Sequence, residues 1–117
     1  MPLEVYYVDD EHDLLELFSD IFMSEEVRVT TFHDPNDAER VIGERPPDLL
    51  FLDHRLPGTT GDQIAQRLDP AIPKVLITGD VLVKVESKFV AIFPKPFSIE
   101  KLKALIDSHL EAKRARR

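Results

Sequence analysis

The chain has no cysteine, which rules out disulfide frameworks, thiolate metal centres and cysteine nucleophiles together. It has no apolar run long enough to cross a bilayer, and Met1-Pro2-Leu3-Glu4 carries no signal-peptide pattern. A cytoplasmic protein without membrane association is therefore expected. Positive charge is also scarce. Fifteen Lys and Arg stand against 22 Asp and Glu, and the formal net charge of -7 argues against nucleic-acid binding by this domain. The one basic block, Lys113-Arg114-Ala115-Arg116-Arg117, reads as a solvated helix end, where cations suit the helix dipole. Internal repeats, low-complexity tracts and evident linkers are missing too. At 117 residues the chain is expected to form a single domain, 1–117, with a real core and no covalent staples.

What the chain does have is a steady alternation of apolar runs and helical spacing. Leu3 to Val8 is rich in β-branched and aromatic residues and reads as a strand. Leu14, Leu15, Phe18, Ile21 and Phe22 then fall on one helical face. Val27 to Phe32 alternates like a strand with one solvated face. Asp34-Pro35 is an N-cap followed by a first-turn proline, opening a helix with Ala38, Val41 and Ile42 inward. Pro46-Pro47 forbids its continuation. Leu49 to Leu52 is a continuous apolar run, as expected of a strand covered on both faces. Ile64, Ala65 and Leu68 mark a short helix closed by Asp69-Pro70; Lys74 to Ile77 and Val90 to Phe93 are the last two strands. Ser98 caps a final helix with Ile99, Leu102, Leu105, Ile106 and Leu110 inward. Such alternation predicts an α/β fold, a doubly wound parallel sheet with right-handed crossovers and helices on both faces. The exception is Asp80 to Lys88, with room for roughly two helical turns, where Val81, Val83 and Val85 alternate as in a strand. A loop or single turn is expected there.

Placed on that topology, the chemically capable residues gather at the carboxyl edge of the sheet, where open α/β sheets form their ligand crevice. Asp9 and Asp10 follow the first strand, Asp53 the third, Thr78 the fourth and Lys95 the fifth. Singly, each has a plain explanation. Asp53 could open a turn, Asp9 or Asp10 could cap a helix, Thr78 could be an ordinary strand residue, and Lys95 a solvated lysine. Their joint occurrence is harder to explain that way. Three neighbouring carboxylates repel and call for a cation. A hard divalent ion with oxygen ligands answers that need, and Mg²⁺ suits a site with few carboxylates and room for phosphate oxygens. A carboxylate beside such an ion can act as a nucleophile towards phosphorus. Charge on the phosphoryl oxygens would then be met by Lys95, the Thr78 hydroxyl and the Gly79 amide.

The chain resembles the receiver domains of two-component response regulators over essentially its whole length. The matching pieces are Val8-Asp9-Asp10-Glu11, Asp53-x-x-Leu-Pro-x-x-x-Gly61, Ile77-Thr78-Gly79 and Lys95-Pro96-Phe97. The resemblance implies a flavodoxin-like (βα)5 sheet of order 2-1-3-4-5, with a fourth helix that is short or absent here. It implies that Asp53 accepts a phosphoryl group from a sensor histidine kinase or a histidine phosphotransfer protein. By the same resemblance Asp10, Asp53 and the backbone carbonyl of Arg55 would ligate Mg²⁺, with Asp9 acting through water. Thr78 and Lys95 would bind the phosphoryl group, and the Lys95-Pro96 bond would be cis. Such a domain is a signalling switch that only assists its own phosphorylation and dephosphorylation, passing the signal to an output partner the sequence does not identify. Homodimerisation, and the choice between a stand-alone regulator and a receiver of a larger protein, stay open.

The chain departs from the family pattern at Ile92, three positions before the lysine, where an aromatic residue usually reports phosphorylation. Phe93 is the neighbouring candidate for that task. Arg55 and Asp80, two positions after Asp53 and Thr78, have opposite charge and would flank the mouth of the site. Pairing there would slow hydrolysis; two independent solvated side chains explain the residues equally. An alternative function is an Asp-Mg²⁺ phosphohydrolase on a similar fold. That chemistry asks for a second carboxylate shortly after the nucleophile, where His54 and Arg55 stand instead. A flavin or nucleotide binder is disfavoured because no glycine-rich loop follows the first strand.

Overall fold

A computed structural model describes residues 1–116; Arg117, the end of the basic block, lies outside the described residues. In chain order the elements are β1 (Leu3–Val8), α1 (His12–Phe22), β2 (Val27–Phe32), α2 (Pro35–Glu44) and β3 (Leu49–Asp53). A small hairpin of β4 (Arg55–Leu56) and β5 (Thr59–Thr60) precedes α3 (Gly61–Arg67), and β6 (Lys74–Thr78), β7 (Ala91–Pro94) and α4 (Ile99–Ala115) complete the chain. Five strands form one parallel sheet of order β2-β1-β3-β6-β7. With the hairpin set aside, this is the expected flavodoxin-like order 2-1-3-4-5.

Period-two alternation along the central strands divides the core between two faces. Leu3, Val5 and Tyr7 of β1, Leu49 and Phe51 of β3, and Val75 and Ile77 of β6 pack with Leu15, Phe18 and Phe22 of α1 and Leu102 and Ile106 of α4. Tyr6, Val8, Leu50, Leu52 and Leu76 face the other way, against Ala38 and Ile42 of α2 and Ile64 and Ala65 of α3. The sheet is therefore wound on both sides. This is why Leu49–Leu52 and Val75–Ile77 are apolar without interruption, whereas β2, at one edge, interleaves polar residues, and β7, at the other, has alternate residues exposed.

Local chemistry sets the helix starts. Asp34 accepts from the Asn36 N–H ahead of Pro35, and Thr60 with Gln63 forms a reciprocal capping box. Ser98 accepts from the Lys101 N–H. Ile99 corrects the expected inner face of the last helix. It is 47% exposed, because it stands one residue past the cap where the chain turns back from β7, beyond the core. Residues 79–90 contain no helix, as expected of this segment. The alternation of Val81, Val83 and Val85 has a different origin from strand pairing. Val83 and Val85, with Phe89, dock on the α2–α3 side of the core, while Val81 is left outside.

Candidate functional site

Strand register brings the site together. Val8 pairs with Leu52, Asp53 with Ile77, and Thr78 with Pro94. Adjacent strands lie about 4.8 Å apart, so residues at the carboxyl ends fall within side-chain reach. Asp9, Asp10 and Asp53 each offer an oxygen within 4.8 Å of the others. Asp9 is fully buried, Asp53 nearly so, and Asp10 exposed. Lys95 extends its ammonium into this group, 3.1 Å from Asp9 Oδ2, 3.0 Å from Asp53 Oδ1 and 2.9 Å from Glu11 Oε2. Thr78, also buried, accepts the Asp80 N–H on its hydroxyl at 3.0 Å. The surrounding cavity, of about 430 Å³, is lined by Asp10, Glu11, Asp53, His54, Arg55, Gly79, Asp80 and Lys95.

The electrostatics follow from this crowding. Burial raises the Asp53 pKa to about 6; the Lys95 hydrogen bond and charge oppose the shift, and repulsion from Asp9 and Asp10 adds to it. Burial would lower the Lys95 ammonium, but hydrogen bonds to Glu11 and Asp53 and the attraction of Asp9 carry it above its ordinary value. Three carboxylates, Asp9, Glu11 and Asp53, thus share one ammonium, with Asp10 beside them. Left so, the site would take up a proton on Asp53 near pH 6; an all-oxygen donor set with that charge deficit fits a hard divalent cation such as Mg²⁺.

Asp9 and Asp10 are held differently. Asp9 accepts the Tyr7 hydroxyl at 2.5 Å and the Glu11 N–H at 2.9 Å, besides meeting Lys95. Asp10 makes no side-chain hydrogen bond among the described residues and faces the cavity opening. Tyr7, raised in pKa by burial and by its bond to Asp9, is a supporting residue that sequence reasoning passed over. A signal was available: it precedes Asp9 by two along a strand, so both lie on one face.

At the mouth, Arg55 Nε and Nη2 donate to the two oxygens of Asp80 at 3.3 and 3.0 Å. His54 Nε2 lies 3.5 Å from the same carboxylate. The pair suggested by charge alone therefore forms. The Lys95-Pro96 bond is cis. Pro94 lies on β7, an edge strand, where its missing donor is tolerated. Ile92 is 44% exposed on β7. Phe93 points to the opposite face and packs against the α1–α4 side of the core, so it does not take the place of Ile92.

The family model of the response regulator receiver domain matches residues 5–107. The chain belongs to this family. The receiver is 32% identical to the nitrogen assimilation regulatory protein NtrX of Azorhizobium caulinodans, in a match covering 100% of this chain and 28% of NtrX. It is 26% identical to the sporulation initiation phosphotransferase F of Bacillus subtilis, covering 97% of this chain and 98% of that protein. The receiver spans about a quarter to a half of the length of the first curated relatives it matches. Its fold superimposes on the receiver domain of a LuxO-like repressor from Vibrio parahaemolyticus with a TM-score of 0.86 at 20% identity, covering 99% of this chain and 95% of that one. Among the described residues of the receiver, no helix is long and apolar enough to cross a membrane.

Proposed function

We propose that this receiver is a phosphorylation-dependent switch whose phosphoacceptor is Asp53. The observation that carries the reading is the buried Asp53 carboxylate, held 3.0 Å from the Lys95 ammonium beside two further aspartates. The donor is a phosphohistidine of a sensor histidine kinase or histidine phosphotransfer protein. An Asp53 oxygen attacks phosphorus in line, the P–O bond forms, and the P–N bond breaks with its electron pair returning to the imidazole, which takes up a proton. Lys95, already on Asp53, neutralises a phosphoryl oxygen. The Thr78 hydroxyl spends an acceptor lone pair on the Asp80 N–H, which leaves its own proton free to donate to another.

Mg²⁺, when bound, supplies charge neutralisation between the acids and the phosphoryl oxygens. Asp10, Asp53 and the Arg55 carbonyl would hold it. The freedom of Asp10 and the engagement of Asp9 with Tyr7 and Lys95 support a direct role for the former and an indirect one for the latter. The Arg55–Asp80 pair stands across the mouth and slows the water that would hydrolyse the aspartyl phosphate. The domain acts in the cytoplasm, is not an enzyme towards a separate substrate, and relays the signal through a shift between two conformations.

The test is incubation with a small-molecule phosphodonor and Mg²⁺, followed by intact mass measurement. Gain of one phosphoryl group, absent with EDTA and absent in Asp53→Asn, is the expected result. Equal modification of Asp53→Asn sinks the assignment.

A further inference from the structure

Tyr6 and Tyr7 are neighbours on β1, and strand alternation sends their hydroxyls to opposite faces of the sheet. Tyr6 lies on the α2–α3 side and donates to the Arg45 carbonyl at 2.8 Å, in the turn that leads into the amino end of β3. Tyr7 lies on the α1–α4 side and donates to Asp9 Oδ2 at 2.5 Å. Its ring is fully buried between Phe18 of α1, with centroids 4.6 Å apart, and Phe51 of β3, at 6.5 Å. Both partners are fully buried themselves, so close packing fixes the ring axis. A flip about that axis leaves the hydroxyl where it is. The core therefore delivers one donor to one point of the site.

That point is the most heavily engaged carboxylate of the site. Asp9 Oδ2 receives Tyr7 and, at 3.1 Å, the Lys95 ammonium, while Oδ1 receives the Glu11 N–H at 2.9 Å. A carboxylate oxygen offers about two lone-pair directions, and at Oδ2 Tyr7 and Lys95 take both. Lys95 continues to Asp53 Oδ1 at 3.0 Å. A line of polar contacts thus runs from the aromatic core through Asp9 and Lys95 to Asp53. Asp9 belongs to the same 4.8 Å cluster as Asp10 and Asp53, so distance alone does not keep it from a cation. Its prior engagement does.

We infer that Tyr7 is a positioning residue of this site: its hydroxyl turns Asp9 towards Lys95, which sets the ammonium on Asp53 and withholds Asp9 from direct ligation of the cation. The consequence for phosphoryl transfer rests on the phosphorylation reading; the hold on Asp9 does not. Without the hydroxyl, Asp9 keeps only the Glu11 N–H and Lys95 of its three donors. A fully buried charge that loses a donor is costly, so a cation relieves more of that cost and binds more tightly. Lys95 in turn loses the fixed partner that places it.

The test compares Tyr7→Phe with Tyr6→Phe, each removing one hydroxyl from one face of the same strand. Mg²⁺ titration of the full chain, followed by amide NMR, gives the affinity. Intact mass over time, with a small-molecule phosphodonor at saturating Mg²⁺, gives the uptake. Tyr7→Phe should bind Mg²⁺ about 3- to 10-fold more tightly and take up phosphoryl groups roughly 10-fold more slowly; Tyr6→Phe should change neither. A Tyr7 that served packing alone would slow uptake without tightening the metal. Unchanged or weakened Mg²⁺ binding in Tyr7→Phe therefore overturns the inference, as does an equal change in Tyr6→Phe. In an Asp9→Asn background Tyr7→Phe should add nothing, and a full effect there overturns the route through Asp9. Should Tyr7→Phe fail to fold, the unsubstituted chain decides. Its Tyr7 hydroxyl proton should be visible by NMR as a slowly exchanging resonance and persist when Mg²⁺ is added; absence at either stage overturns the inference. An unsubstituted chain that takes up no phosphoryl group sinks the phosphorylation reading, while the metal titrations still judge the hold of Tyr7 on Asp9.

Discussion

The carboxyl edge of the central strands and the segment between β6 and β7 are neighbours built on opposite terms. At the edge, Asp9, Asp53 and Thr78 are buried and stand on or directly after strands covered on both faces. In the segment, Val81 and Leu82 are exposed and only Val83, Val85 and Phe89 touch the core. The difference teaches how a small domain separates precision from mobility. Phosphoryl chemistry needs oxygens and an ammonium held to fractions of an ångström, and in-register strand ends provide that. A signal needs an element of low local stability, and a segment without helix or strand, only partly docked on the core, is suited to that.

The comparison can be broken or sharpened by substitution. The largest effect is expected at the edge: Asp53→Ala should abolish phosphoryl uptake, and Lys95→Ala should slow it by about 10²-fold or more, both read by intact mass over time. Comparable uptake by Lys95→Ala would show that the ammonium is not needed there. Next come the packing contrasts. Phe18→Ala, beneath β1 and β3, should cost about 3–5 kcal/mol. Phe89→Ala, half-buried on the segment, should cost under about 2 kcal/mol, with urea melts as the measure. Equal costs would mean that the segment is as integral as the core.

A smaller effect concerns the strained charge of the site. The folded pKa of Asp53, about 6, lies above the ordinary carboxylate value. Its contribution is therefore fully favourable below about pH 4 and is lost as pH rises through 6. Asp53→Asn should accordingly stabilise the metal-free domain at pH 7–8 by about 1–3 kcal/mol, with the gain vanishing at pH 4. Saturating Mg²⁺ should narrow the gap by favouring the unsubstituted chain. A destabilised Asp53→Asn at pH 8 would refute that account. The smallest stability effect belongs to Arg55→Ala, under about 0.5 kcal/mol for an exposed pair, yet dephosphorylation should quicken several-fold. An unchanged rate would remove the gate.

Much of this was legible in advance. The order of elements followed from apolar runs and helical spacing, and the gathering of Asp9, Asp10, Asp53, Thr78 and Lys95 at one edge from their places at strand ends, because register in a sheet buried on both faces leaves little freedom. The loop at 79–89 was legible from its shortness. What escaped was non-local. The alternating valines suggested pairing, but nothing in the pattern could show that Val83 and Val85 would dock on the α2–α3 face. Ile99 had helical spacing yet no core beneath it. Tyr7 looked like a core aromatic, and its hydroxyl found Asp9 only once the strand was placed.

The sequence by itself determined the sheet, its winding and the set of groups at its carboxyl edge, since periodicity and turn chemistry act over a few residues. Only the tertiary structure decided which charges meet. Lys95 bridges Asp9, Glu11 and Asp53, Arg55 closes on Asp80, and Asp62 captures the backbone of Glu86 and Ser87 across 24 and 25 residues of chain. Such pairings depend on where crossovers deliver distant segments and on how deeply a carboxylate is buried, neither of which is written in local pattern.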